Sequence, residues 1–304
     1  RQAFLVQMVE NRGDLANAIA INSSMVNGAR LIGPAIAGII IAAFGEGWCF
    51  LIDGLSYFAV IASLLAMSLP ALTGRGASGA SLVQELREGW NYVRGFPPIR
   101  VVLLLLALTC LLGWPYSVLL PVFAGKVLHG GANTLGWLTA ASGIGAFSSA
   151  LILAMRKSVI GLTRTLQAAV ALLGVGLILF GLSHVLWLSL IMMVAVGFGL
   201  IQAAAVCNTI IQSLVPDDKR ARVMGYYTMA FVGAAPFGSL MAGALAQHIG
   251  APYTVMLAGG CCIAAAVWFS LQLPKIRPEM RASYREKELA ATRAADGAAH
   301  EAAA

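Results

Sequence analysis

The chain has 304 residues, of which 59% are hydrophobic and 11% charged, where ordinary globular proteins carry about 25% charge. Its mean hydropathy is +0.82. This composition excludes a soluble enzyme or binding module, and the net charge of +7 reports orientation in a bilayer rather than affinity for nucleic acid.

Eight apolar runs reach the length of about 17 to 25 residues that crosses a bilayer. They fall at about 16–44, 48–69, 99–124, 134–155, 165–183, 185–212, 222–246 and 251–273. They are continuous rather than alternating, so they predict helices and an all-α polytopic fold, since lipid leaves the backbone no other hydrogen-bond partner. Cys49, Cys110, Cys207, Cys261 and Cys262 all lie in apolar runs without metal-ligand spacing. They read as small buried hydrophobes, and neither a metal nor a cofactor is expected.

The first run contains NGARLIGPAIAG, residues 27–38. Arg30 sits roughly 21 Å from either end of the run at 1.5 Å per residue, a depth at which a guanidinium costs at least about 2.5 to 3.5 kcal/mol. It should therefore face a polar cavity or a carboxylate. Asn22, Ser23, Asn27, Arg30 and Pro34 recur at spacings of three and four and share one helix face. In the second run, Asp53 is the one acidic residue at membrane depth, a candidate for a coupling proton or, alternatively, a residue placed near a helix start. His129, His184 and His248 fall in or beside connections.

Residues 71–98 form a polar linker. Ser81-Leu82-Val83-Gln84 reads as a capping box, and Leu82, Leu86, Trp90 and Val93 form an apolar stripe, so an interfacial helix is expected there. In the later runs Gln202, Asn208, Thr209 and Gln212 offer hydrogen bonds. Trp114, Tyr116 and Trp137 offer aromatic surface, either to an amphipathic substrate or to the membrane interface. Glycines at 143, 145, 174, 176, 197 and 199 suit close helix packing. Beyond Pro274 the tail is rich in Ala, Arg and Glu and has few apolar anchors.

Eighteen of the twenty Lys and Arg residues lie before the first run, in alternate connections, or after the last run. The intervening connections hold only Lys126, and Arg30 is in no connection. Both ends of the chain are accordingly expected on the cytoplasmic side.

Residues 9–70 can be laid over 215–274 at an offset of about 205, with Gly33, Gly38 and Gly45 falling on Gly238, Gly243 and Gly250. Two halves so related imply four further spans ahead of Arg1 and twelve in a complete protein. The expected organisation is residues 1–70 as the end of the first half (helices five and six), 71–98 as the central cytoplasmic loop, 99–273 as the second half (helices seven to twelve), and 274–304 as a cytoplasmic tail.

Gly28, Gly33-Pro34 and Gly38 resemble the fifth-helix Gly-Pro motif of exporters of the major facilitator superfamily. RQAF at 1–4, NAIA at 17–20, PYSVLLPVFAGKVL at 115–128 and TLGWLTAASGIGA at 134–146 extend the likeness. Together they resemble the branch that holds siderophore exporters and macrolide-efflux proteins. AMRKSVIGLTRT, 154–165, is similar to the second-half copy of the superfamily's loop motif. It keeps Arg156, Lys157 and Gly161 without the aspartate, so no gating salt bridge is assigned there. Arg220-Ala221-Arg222 resembles an Arg-Gly-Arg turn between the tenth and eleventh helices.

The resemblance implies a secondary transporter rather than an enzyme. Its expected activity is proton-coupled export of small amphipathic molecules by alternating access in a bacterial inner membrane. An uptake permease of the same fold, or a non-transporting assembly or sensor protein, is the alternative. Substrate or coupling candidates are Arg30, Asn22, Asn27, Asp53, Gln202 and Asn208, and loop gating candidates are Arg156, Lys157, Arg220 and Arg222.

Overall fold

A computed structural model describes Met25, Ile40 and residues 46–65, 82–156 and 161–303. Among these the structure is helical, without strands. The helices are α1 (Glu46–Leu65), α2 (Leu82–Gly95), α3 (Pro97–Gly113), α4 (Tyr116–Val122), α5 (Ala132–Ala154), α6 (Leu162–Leu182), α7 (Leu186–Leu214), α8 (Asp217–Thr228), α9 (Ala234–Ile249) and α10 (Ala251–Ala303). π-helical turns at Phe123–Val127 and Met229–Gly233 follow α4 and α8.

Among the described residues six stretches are long and apolar enough to cross a membrane: Pro97–Val127, Ala132–Leu153, Leu162–Leu182, Leu186–Leu214, Lys219–Ile249 and Ala251–Met280. They coincide with the six later apolar runs of the sequence. The first run lies outside the described residues, apart from the helical Met25 and Ile40. α1 overlaps the second run, beginning two residues before it, and Phe50 and Phe58 stand 76% and 69% exposed along it.

Short connections make successive spans antiparallel. Gly161 opens α6 at φ +84°, and Gly250 turns α9 into α10 at φ +86°. A side chain at either position meets the left-handed penalty of about 1 to 2 kcal/mol, which is why glycine occupies both. α10 continues through Pro274 and Pro278 as one helix to Ala303, so the tail is helical where composition alone left it open.

The core lies among α3, α6, α7 and α10. Leu105, Leu106 and Cys110 meet Leu166, Leu173, Leu177, Val196 and Ile210, all essentially inaccessible, and Phe123 lies 4.4 Å from Phe180 between ring centroids. Leucines alone do not hold such a bundle together, because lipid is as apolar as they are. The crossings instead use glycine. A Cβ on Gly174 would stand 2.7 Å from the Gly259 carbonyl oxygen, and one on Gly259 would stand 2.6 Å from the Gly174 carbonyl oxygen. Gly145 meets the Val194 carbonyl, Gly197 the Ser142 carbonyl and Gly199 the Ala169 carbonyl in the same way. Cys110, Cys207, Cys261 and Cys262 are free thiols, and all but Cys261 are buried.

The packing separates two substitutions that sequence alone treats as equivalent. Gly174→Ala forces α6 and α10 apart and should lower stability by about 1 to 3 kcal/mol. Gly260→Ala, on the same α10 but with nothing within 4 Å, should be neutral or slightly stabilising. Thermal unfolding of the two variants in detergent compares them directly.

Candidate functional site

The third and seventh spans of the sequence, one built from α3 and α4 and the other from α8 and α9, are both interrupted. Pro115 has no N–H to give the Leu111 carbonyl, so α3 ends at Gly113. The chain re-forms its ladder through Ser117 N–H to Trp114 O (3.2 Å) and Val118 N–H to Pro115 O (3.1 Å). The freed Leu111 carbonyl is covered by Gly238 of α9, whose missing side chain also leaves room for the Pro115 ring; a Cβ there would lie 2.8 Å from Pro115 Cγ. In the other span the π-helical turn Met229–Gly233 precedes Pro236.

The two irregular segments meet through aromatic rings. Trp114 stands edge-on to Phe231 with centroids 5.4 Å apart at 88°, and Phe231 stacks on Tyr227 at 5.9 Å and 15°. The Tyr227 hydroxyl donates to the Ala204 carbonyl of α7 at 3.2 Å. All three rings are half-buried, so each keeps an accessible edge. Sequence reading singled out Trp114 but missed Tyr227 and Phe231. Their four-residue spacing was visible, but nothing local showed that α8 would bring them to the break.

Tyr116 and Ser142 share a 2.7 Å hydrogen bond between α4 and α5, and Trp137 stands 59% exposed. Gln202 is buried and accepts Ser149 Oγ–H at 2.7 Å, pinning α5 to α7. Asn208 is half-buried and accepts from Gln212 Nε2 at 3.0 Å along its own helix. Six residues apart, Gln202 and Asn208 point in directions about 120° different, so they do not form one polar patch. Asp53 is exposed at least two turns inside α1, which sets it apart from a capping position. Gly28, Gly33, Pro34, Gly38, Arg30, Asn22, Asn27 and Lys157 lie outside the described residues.

At the opposite end of the bundle Arg156 Nη1 donates to Thr165 Oγ1 at 2.6 Å across the α5–α6 connection. Arg222 pairs with Glu88 of α2 at 3.0 Å. Lys219 Nζ stands 4.8 Å over the Tyr92 ring, and Trp90 lies 6.1 Å from Tyr226. Gly89 is buried at this contact because a Cβ would come within 2.9 Å of Tyr226 Cε2. α2 therefore docks on α8 through Gly89, Tyr92 and Val93. Trp90, a member of the apolar stripe, stays 54% exposed. Glu88 is a partner that sequence reading missed, since a carboxylate on a polar linker helix carries no sign of an arginine more than a hundred residues away.

A profile of the family described as transmembrane secretion effector, within the major facilitator superfamily, matches residues 1–296. The chain belongs to this family. It is 27% identical over 281 residues to the staphyloferrin A transporter of Staphylococcus aureus, covering 92% of this chain and 70% of that protein. It is 28% identical over 262 residues to the multidrug efflux pump Tap of Mycolicibacterium fortuitum, covering 82% and 62%. The Tap pump of Mycobacterium tuberculosis matches at 27% over 267 residues, covering 84% and 61%. The chain thus spans about three fifths to seven tenths of these relatives' length. Family membership makes it a multi-pass membrane protein and points to transport rather than catalysis.

Two consequences are measurable. Ser149→Ala strands the buried Gln202 oxygen and should cost about 1 to 3 kcal/mol, much of it regained in Ser149→Ala/Gln202→Leu, as read by thermal unfolding. At the linker contact Arg222 and Glu88 are 36% and 44% exposed, so Glu88→Gln should change stability by less than about 1 kcal/mol. Gly89→Leu should instead detach α2, visible as faster proteolysis between residues 82 and 95.

Proposed function

We propose that the complete transporter to which these helices belong is a proton-coupled exporter of small amphipathic molecules, a drug, macrolide or siderophore, working by alternating access in a bacterial inner membrane. The observation that carries this reading is the match to a secretion family over nearly the whole chain. Relatives named as multidrug efflux pumps support it further. Both ends of the chain would be cytoplasmic, as the distribution of Lys and Arg favours.

In this reading the half-buried rings of Trp114, Tyr227 and Phe231 contact cargo, and the interruptions beside them let two spans bend as the halves rock. α2, held to α8, travels with the second half. Asp53 is the carboxylate we assign to the coupling path, because it is the one acidic residue within the apolar spans. Arg30 is assigned to the cargo or coupling path for the same reason of depth.

The repeat gives the Gly-Pro motif a physical role. Gly33 corresponds to Gly238, which has no room for a side chain against Leu111, whereas Gly38 corresponds to Gly243, which has nothing within 4 Å. We assign Gly33 to packing within its own half and Gly38 to close approach of the other half. The test uses inside-out vesicles that hold the complete transporter and an imposed proton gradient. Wild type should accumulate ethidium, while Gly33→Leu, Gly38→Leu and Asp53→Asn should abolish accumulation and Arg30→Ala should reduce it several-fold. Full accumulation by both glycine variants would overturn the role given to the motif, and flux in the reverse direction would make the protein an uptake permease.

A further inference from the structure

Within this bundle α3, α4, α6, α9 and α10 line a partly open cavity of about 160 Å³. We propose that this cavity receives one aromatic ring of an amphipathic molecule, separately from any surface between the two halves.

The walls decide the chemistry of the guest. The two hydroxyls that reach the cavity are already engaged, Tyr116 with Ser142 at 2.7 Å and Thr254 with the Gly250 carbonyl at 2.8 Å. The rest of the lining is aliphatic or sulfur-bearing. A polar guest would therefore lose its water without replacement. The volume is close to the roughly 150 Å³ of apolar cavities that accept benzene, so there is room for one six-membered ring, with the rest of a larger guest left at the open side, where Met241 and Leu257 are 40% and 51% exposed. The thioether of Met241 and the thiol of Cys261 both face this space, and sulfur favours an aromatic ring over an alkyl segment by about 0.3 to 1.5 kcal/mol per contact.

The cavity follows from the backbone break rather than from loose packing. Gly238 draws α9 against the Leu111 carbonyl at one edge, and Pro115 interrupts the helix between α3 and α4 immediately beyond it. The gap between that clamp and α10 is what remains. The inference rests on the export reading only in treating the guest as cargo, because occupancy can be read without flux.

The experiment uses the full chain in nanodiscs with trifluoromethyl-phenyldiazirine as a single-ring photoprobe and peptide mapping after illumination. Saturable labelling of the segments around Leu111–Leu119, Met241–Leu245 and Thr254–Cys261, competed by toluene, is expected. Ala258→Phe, which places a ring in the cavity, should reduce that labelling at least about tenfold, equivalent to roughly 1.4 kcal/mol. Ala258→Leu should give a smaller reduction and guards against misfolding of the first variant, and Leu271→Phe, on an exposed face, should leave labelling unchanged. Labelling that is not saturable, or that is indifferent to Ala258→Phe and Ala258→Leu, would overturn the proposal. So would competition by hexadecane but not toluene, which would make the occupant a lipid chain. If the site labels as expected but vesicles show no efflux, the export reading fails and the ring site stands. If efflux is intact and labelling is absent, the ring site alone fails.

Discussion

Close approach of backbone to backbone is the condition on which this bundle rests. In hydrocarbon a leucine gains little by touching another leucine instead of a lipid chain, so attraction between helices comes from dispersion at short range and from a few buried hydrogen bonds. Both need helix axes nearer than side chains normally permit. The reciprocal seating of Gly174 and Gly259 on each other's carbonyls, and of Gly145 and Gly197 on the α7 and α5 backbones, meets that condition. Once α5 and α7 are this close, Ser149 can reach Gln202. The hydrogen bond is a consequence of the glycine crossing rather than an independent tie.

The same constraint explains where the fold gives way. A proline in a membrane helix leaves a carbonyl without its donor, and lipid offers no substitute. At Pro115 the carbonyl that loses its donor is that of Leu111, and Gly238 packs closely over it, shielding it from lipid. One proline and one glycine on different spans thus meet beside the contact of Trp114 with Phe231 and the cavity beyond it. The aromatic contact and the cavity lie where regular helix is interrupted.

The linker helix shows a different balance. Its ion pair between Glu88 and Arg222 is exposed and contributes little, while the fit of Gly89 beneath Tyr226 sets how near α2 can lie. Charge selects the register and shape provides the contact. Tying the linker to α8 fixes where the chain ahead of α3 leaves the bundle.

How much of this was legible beforehand depends on the range of each interaction. Span positions, their helical nature and the all-α class follow from local composition, because a lipid environment imposes length and apolarity on each segment separately. The turns at Gly161 and Gly250 belong to the same local category, since a left-handed residue is written in one glycine. Pairings were not legible. Gln202 as the mate of Ser149 lies 53 residues off, and Cys207 reaches the Val102 carbonyl across 105, distances over which periodicity holds no information. The sequence therefore determined which residues lie in the membrane and roughly at what depth. Only the tertiary structure decided which glycine meets which carbonyl, that Glu88 answers Arg222, and that a ring-sized space opens behind Pro115, because each depends on helix rotation and separation, which packing between distant segments settles.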